Sequence, residues 1–105
     1  MDKHIIMDAL ERRKIHDNLG SYLEKIKMLI LKVDPKAEIY LFGSVAEKKH
    51  TYSSDVDILV VTKENKLKIL NELVKEEFTN FFEIHIKKPE EIGWYKKMAK
   101  LIRIF

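Results

Sequence analysis

Apolar positions recur three and four residues apart early in the chain. Leu19, Tyr22, Leu23, Ile26, Leu29, Ile30 and Val33 form one stripe, the spacing of an amphipathic helix. Ile5, Ile6, Ala9 and Leu10 share the period but are separated from that stripe by the charged stretch Glu11 to Lys14. Gly20 weakens the middle, so residues 2 to about 33 predict two helices or one bent helix. Asp34-Pro35 ends it, because a residue before proline is pushed out of the helical region. The period then changes. Ala37 to Phe42 reads as a short strand stopping at Gly43-Ser44, and 45–54 as a polar connection that opens with a helical turn. Asp55 to Thr62 is an almost unbroken β-branched run, the kind buried on both faces. After a loop at 63–66, Leu67, Leu70, Leu73, Val74 and Phe78 share one side of an amphipathic helix spanning 67–78. Phe81 to Lys87 is a third strand. Pro89-Glu90-Glu91 suits the first turn of a last helix, with proline early and acids near the positive dipole end. That helix would pack through Trp94, Tyr95, Met98, Leu101, Ile102 and Phe105. The order helix, strand, strand, helix, strand, helix predicts an α/β (α+β) chain: a small mixed β-sheet of three or more strands, flanked by helices.

Composition narrows the class. At 105 residues, 46% hydrophobic and 35% charged, the chain is sized for one domain and long enough to bury a core. Three Gly and two Pro argue against fibrous or low-complexity sequence. No apolar run approaches the roughly 18 residues of a membrane span, and the acid-bearing start Met1-Asp2-Lys3-His4 leads into no signal-peptide pattern. No cysteine is present, which removes disulfides, thiol catalysis and Cys-based zinc sites, and fits a reducing cytoplasm. Twenty basic against seventeen acidic residues give +3, a mild lean toward polyanions. The basic residues are scattered without interleaved aromatics, which disfavours a nucleic-acid binder.

The informative pattern is Gly43-Ser44, ten residues, then Asp55-Val56-Asp57. Side chains alternate along a strand, so Asp55 and Asp57 share one face while Val56, Ile58 and Val60 share the other. Two carboxylates so placed form a clamp for a hard divalent cation such as Mg²⁺. Without a cation, neighbouring anions beside a buried strand are costly to keep ionised. Gly43 lets the backbone approach a phosphate, and the Ser44 hydroxyl with nearby amides can hold anionic oxygens. Either half alone has an ordinary reading, a turn for Gly-Ser and a solvated strand start for Asp-x-Asp. Glu83, a charge inside the apolar strand Phe82–Ile86, is the candidate third carboxylate, with a solvent-facing edge residue as the alternative. His85 shares its face and reads better as a satisfied structural histidine than as a proton carrier. Lys48 and Lys49 could neutralise phosphate charge. His50 and Tyr52 fit a solvated loop, and Trp94 and Tyr95 fit helix-to-core packing.

The constellation Gly43-Ser44 … Asp55-Val56-Asp57 with Glu83 resembles the nucleotidyltransferase superfamily related to DNA polymerase β, and in length its short form, the minimal nucleotidyltransferase (MNT) domain. The resemblance implies the polymerase β-like nucleotidyltransferase fold, with residues 1–105 as a single minimal domain. It implies that Asp55, Asp57 and Glu83 are catalytic and bind metal, two Mg²⁺ ions being held, with ATP as substrate. Gly43, Ser44, Lys48 and Lys49 would bind the nucleotide. Small MNT proteins often pair with HEPN-domain toxins as antitoxins that transfer AMP to a toxin tyrosine, so the resemblance implies a cytoplasmic HEPN-type partner, within a homo- or hetero-oligomer. One departure stands out. Where many members follow Gly-Ser with a small residue, Ala, then a basic residue and Gly, this chain has Val45-Ala46-Glu47-Lys48. That departure motivates an alternative, an antitoxin of weak or no catalytic activity that neutralises its partner by binding. With a single domain expected, acceptor specificity is expected from a partner or from a very small surface of the catalytic core.

Overall fold

The computed structural model describes residues 2–105. The N-terminal helical region is two helices, α1 (Lys3–Asp17) and α2 (Leu19–Val33). The break falls at Asn18 rather than at Gly20. Asn18 leaves helical geometry at φ −125°, ψ 33°, and its side-chain amide donates to the Lys14 carbonyl at 2.9 Å, closing the end of α1 locally. Gly20 lies inside α2, with open space where a Cβ would stand. At the other end of α2 the chain turns extended at Asp34, as the following proline requires.

Strand β1 (Glu38–Phe42) runs into a single helical turn, α3 (Gly43–Ala46), and the polar connection returns as β2 (Val56–Val61). Helix α4 (Lys66–Leu73) opens with Asn65, whose side chain accepts the Leu67 N–H at 2.8 Å, a regular N-cap. It stops four residues after Ile69, well short of Phe78. The Thr79 hydroxyl donates to the Leu73 carbonyl at 3.0 Å, and a 3₁₀ turn over Glu77–Phe81 carries the chain into β3 (Phe82–Lys87). The expected single helix over 67–78 is therefore divided. Ile69 and Leu73 are buried in the core, Leu70 and Phe78 pack partly buried against it, and Leu67 and Val74 are 64% and 69% exposed.

The C-terminal segment departs furthest from the sequence expectation. Pro89–Glu91 is a 3₁₀ turn in which the Lys88 N–H donates to the Glu91 carboxylate at 2.8 Å. Helix α5 is only Gly93–Met98, and Ile102–Arg103 forms a fourth strand, β4. Trp94 and Met98 are solvent-exposed, and of the proposed packing residues Tyr95 alone is fully buried. The physical reason is β1. Its outer edge needs partners for buried backbone groups. Ile104 N–H donates to the Ile39 carbonyl at 2.7 Å, and Ile39 N–H to the Phe105 carbonyl at 2.9 Å.

The sheet order is β3-β2-β1-β4, with β2 and β3 parallel and the other pairs antiparallel. Helices α2 and α4 cover one face, where Ile26, Ile30, Ile69 and Leu73 meet Ile39, Val56, Ile58 and Val60. On the other face, Phe42, Leu59 and Val61 pack against Ile92 and Tyr95. The sheet is thus a central layer with an apolar face on each side. Among the described residues no helix is long and apolar enough to cross a membrane.

Candidate active site

The alternation expected for β2 is present. Val56, Ile58 and Val60 belong to the core under α2 and α4, which directs Asp57 with Leu59 and Val61 to the α5 side. On β3, Phe82 and Ile86 join the α2/α4 core, leaving Glu83 and His85 on the same side as Asp57. Parallel pairing sets Asp57 opposite Glu83, and antiparallel pairing sets Asp57 opposite Phe42, the residue before Gly43. Three elements therefore converge on one carboxylate.

Gly43 is required there twice over. Its φ is +74°, a left-handed conformation costly for other residues. A Cβ at this position would also collide with the Asp57 carboxylate. Ser44 follows in α3, and its carbonyl accepts the Lys49 N–H at 2.9 Å. That bond folds the turn so that Glu47, Lys48 and Lys49 are exposed beyond it. Lys48 takes φ +59°.

Donor atoms of Asp57, Glu83 and His85 all lie within 4.8 Å of one another. The His85 ring is fixed at both nitrogens: Nε2 lies 3.2 Å from Glu83 Oε1 and Nδ1 lies 2.9 Å from the Tyr95 hydroxyl. Phe42 stands edge-on to His85 at 5.0 Å and to Tyr95 at 5.6 Å. His85 thus positions the Glu83 carboxylate and packs structurally at once. The Asp57 carboxyl is pushed up to about 6, first by burial and then by hydrogen bonding and charge repulsion from Glu83. A pair of acids in which one is driven toward its neutral form lacks counter-charge. Oxygen donors in that state suit a hard divalent cation, so the residues present fit such an ion.

Asp55 stands apart from this trio. It lies just before β2, and Arg12 of α1 takes its Oδ1 at 2.6 Å. The same guanidinium nitrogen donates to the Ser53 carbonyl at 3.3 Å. Sequence reasoning missed Arg12 because it is 43 positions from Asp55 and belongs to no local pattern. The one trace was the charged stretch that interrupts the apolar period of α1. His50 and Tyr52 are exposed, as expected of a solvated loop, and are also tethered to α1. The His50 ring stacks on His16 at 5.2 Å, and the Tyr52 hydroxyl donates to Asp17 at 2.9 Å.

The model of the nucleotidyltransferase domain family matches residues 19–103, and the chain belongs to that family. A solved structure described as a candidate nucleotidyltransferase is 30% identical, with a TM-score of 0.61, covering 80% of this chain and 98% of its own. A second, a candidate nucleotidyltransferase from Sulfolobus solfataricus, shares 18% identity at a TM-score of 0.52, covering 100% of this chain and 89% of its own. At that identity it speaks for the fold alone. A search of curated proteins finds none that matches. Family membership assigns the chain to nucleotidyl transfer in general, and the mixed four-stranded sheet flanked by helices is the architecture shared with the first of these structures.

Proposed function

We infer that the chain is a Mg²⁺- and ATP-dependent nucleotidyltransferase that moves AMP onto a hydroxyl, the acceptor being a tyrosine of a HEPN-type toxin and the biological role that of its antitoxin. One observation carries the reading: Asp57 and Glu83 are paired in register across β2 and β3, and the Gly43 backbone closes against Asp57. Asp55 and Asp57 would hold two Mg²⁺ ions and Glu83 one of them. When bound, the metal neutralises triphosphate charge and aligns the reacting groups. The Gly43 and Ser44 backbone would lie along the phosphates, with Lys48 and Lys49 supplying positive charge from the exposed turn. Glu83, contacted by His85, would take the proton of the attacking hydroxyl.

Calorimetry of ATP binding with and without Mg²⁺ tests the reading, followed by mass spectrometry of a toxin partner after incubation with ATP. Mg²⁺-dependent binding and a +AMP shift on the partner, both lost in Asp57→Asn, are expected. Mg²⁺-independent behaviour, unchanged in Asp55→Asn and Asp57→Asn, sinks it.

Two observations favour a second reading, an antitoxin that acts by contact with little catalysis. Glu47 is exposed directly after α3, where the family pattern expects a cation, and Arg12 occupies Asp55. In that case the Asp55→Asn/Asp57→Asn double variant still protects cells from the toxin. Loss of protection excludes it.

A further inference from the structure

Helix α1 precedes the family-matched residues 19–103, yet its C-terminal half is fastened to the segment that delivers Asp55. Arg12 bonds Asp55 and the Ser53 carbonyl, and its guanidinium lies 5.0 Å from the centre of the Phe81 ring. His16 Nε2 lies 2.8 Å from the Ser54 carbonyl. Tyr52 bonds Asp17, and the Arg13 guanidinium lies 5.5 Å from the Tyr52 ring centre. The N-terminal half is different in kind: Ile5, Met7 and Leu10 are exposed. Beside the apolar anchor of Ile15 in the core, the polar tethers of α1 fall within residues 51–55, and one of them is made by the Asp55 carboxylate. A guanidinium on Asp55 Oδ1 supplies positive charge to a carboxylate that would help hold a cation. Two positive charges drawn to one carboxylate repel each other, so the guanidinium and a cation compete for it.

We propose that α1 is a cation-mimicking latch: Arg12 holds Asp55 while no divalent cation is bound, and cation binding at Asp55 and Asp57 releases that contact and loosens α1 from residues 51–55. The inference rests on the metal-dependent reading above and adds its regulation. Linkage makes the effect reciprocal, since any affinity the latch removes from the cation is returned as weaker docking of α1 when the cation binds. Anything that pulls α1 away would then raise the affinity of the site for metal.

The test uses Mn²⁺ alone as the probe, with binding to the full chain read by electron paramagnetic resonance. Arg12→Gln removes the charge together with its contact to Phe81, and is expected to tighten Mn²⁺ binding about twofold to fivefold, the range for releasing a partly exposed ion pair. Arg13→Gln removes the same charge one residue along, from its 3.7 Å pair with Asp17. It should change Mn²⁺ affinity by less than about twofold, because exposed charges at longer range are screened. Tyr52→Phe, which cuts a tether without touching Arg12, should tighten binding by less than Arg12→Gln. In the wild-type chain, saturating Mn²⁺ should accelerate hydrogen exchange across residues 3–17. If Arg12→Gln binds Mn²⁺ no tighter than wild type, or Arg13→Gln matches it, the latch is wrong while the metal site stands. If neither wild type nor Arg12→Gln binds Mn²⁺, the latch and the metal-dependent reading fail together.

Discussion

At the scale of single residues, Asp57 and Gly43 determine each other. Gly43 combines a positive φ with a position that leaves no room for a Cβ beside the Asp57 carboxylate. Gly43→Ala should therefore cost about 2–4 kcal/mol, combining left-handed backbone strain with a displaced buried group. Urea denaturation reads that loss, and nucleotide binding should fall with it. Asp57 carries a pH signature. Its folded proton affinity is raised from the ordinary 3.8 to about 6 by burial and by Glu83, so the folded chain binds this proton more tightly than the unfolded chain does. The stability it contributes is fully present below the ordinary value and is lost as pH rises through about 6. The displacement corresponds to about 3 kcal/mol unscreened, and solvent screening of a half-buried carboxyl reduces it to about 1–2 kcal/mol. Metal-free protein titrated in urea from pH 4 to 7 should show that decline in wild type, and a smaller one in Asp57→Asn. Adding Mg²⁺ at neutral pH should restore part of it, because a bound cation favours the charged form.

At the scale of elements, helix α4 separates apolar pattern from actual burial. Leu67, Leu70, Leu73, Val74 and Phe78 have helical spacing, yet the helix ends at Leu73, its buried residues are Ile69 and Leu73, and Leu70 and Phe78 pack only partly buried against the core. Leu73→Ala should cost about 2–4 kcal/mol by transfer and cavity effects. Val74→Ala, at a residue exposed beyond the helix end, should stay within about 0.5 kcal/mol. Thermal melts of the two variants make the comparison directly, and equal losses would mean that the helix continues through Val74. The same element scale explains why the site's strands were legible. Register follows from alternation wherever one face is buried, so once Val56, Ile58 and Val60 face α2 and α4, Asp57 can point only to the other side.

At the scale of the whole molecule, the sheet's outer strands behave differently from its centre. β1 and β2 are flanked on both sides, whereas β4 is two residues long and covers the edge of β1. Its residues continue a run expected to be helical, so the local preference yielded to the unpaired groups at Ile39. Removing residues 102–105 should lower the melting temperature and increase concentration-dependent aggregation, both read by light scattering during a thermal ramp. The exposed edge of β1 would then be open to strand addition. Net charge also reads differently in three dimensions. The +3 of the chain is a sum over separated regions, with Asp57 and Glu83 on one patch and Lys48 and Lys49 on an exposed turn outside it.

Much of the fold and part of the candidate site were readable from the chain alone. The β2 alternation, the stop at Gly43-Ser44 and the acid at Glu83 depend on periods of two and on turn chemistry, which are local. Those signals predicted an α/β (α+β) arrangement and a resemblance to nucleotidyltransferases, and the family model and the shared architecture bear out the fold and the nucleotidyltransferase family. What local pattern could not settle was set by distant partners. Asn18 rather than Gly20 divides the first helices because its side chain finds a carbonyl to satisfy. Ile102 becomes a strand because β1 has an edge to close. His85 is fixed by Tyr95 from another element, and Asp55 is met by Arg12 from a helix far away in sequence. Side-chain period and residue type determine which face a group occupies. Which group lies opposite it is decided only when elements pack, because charge pairing and backbone satisfaction are properties of proximity in space.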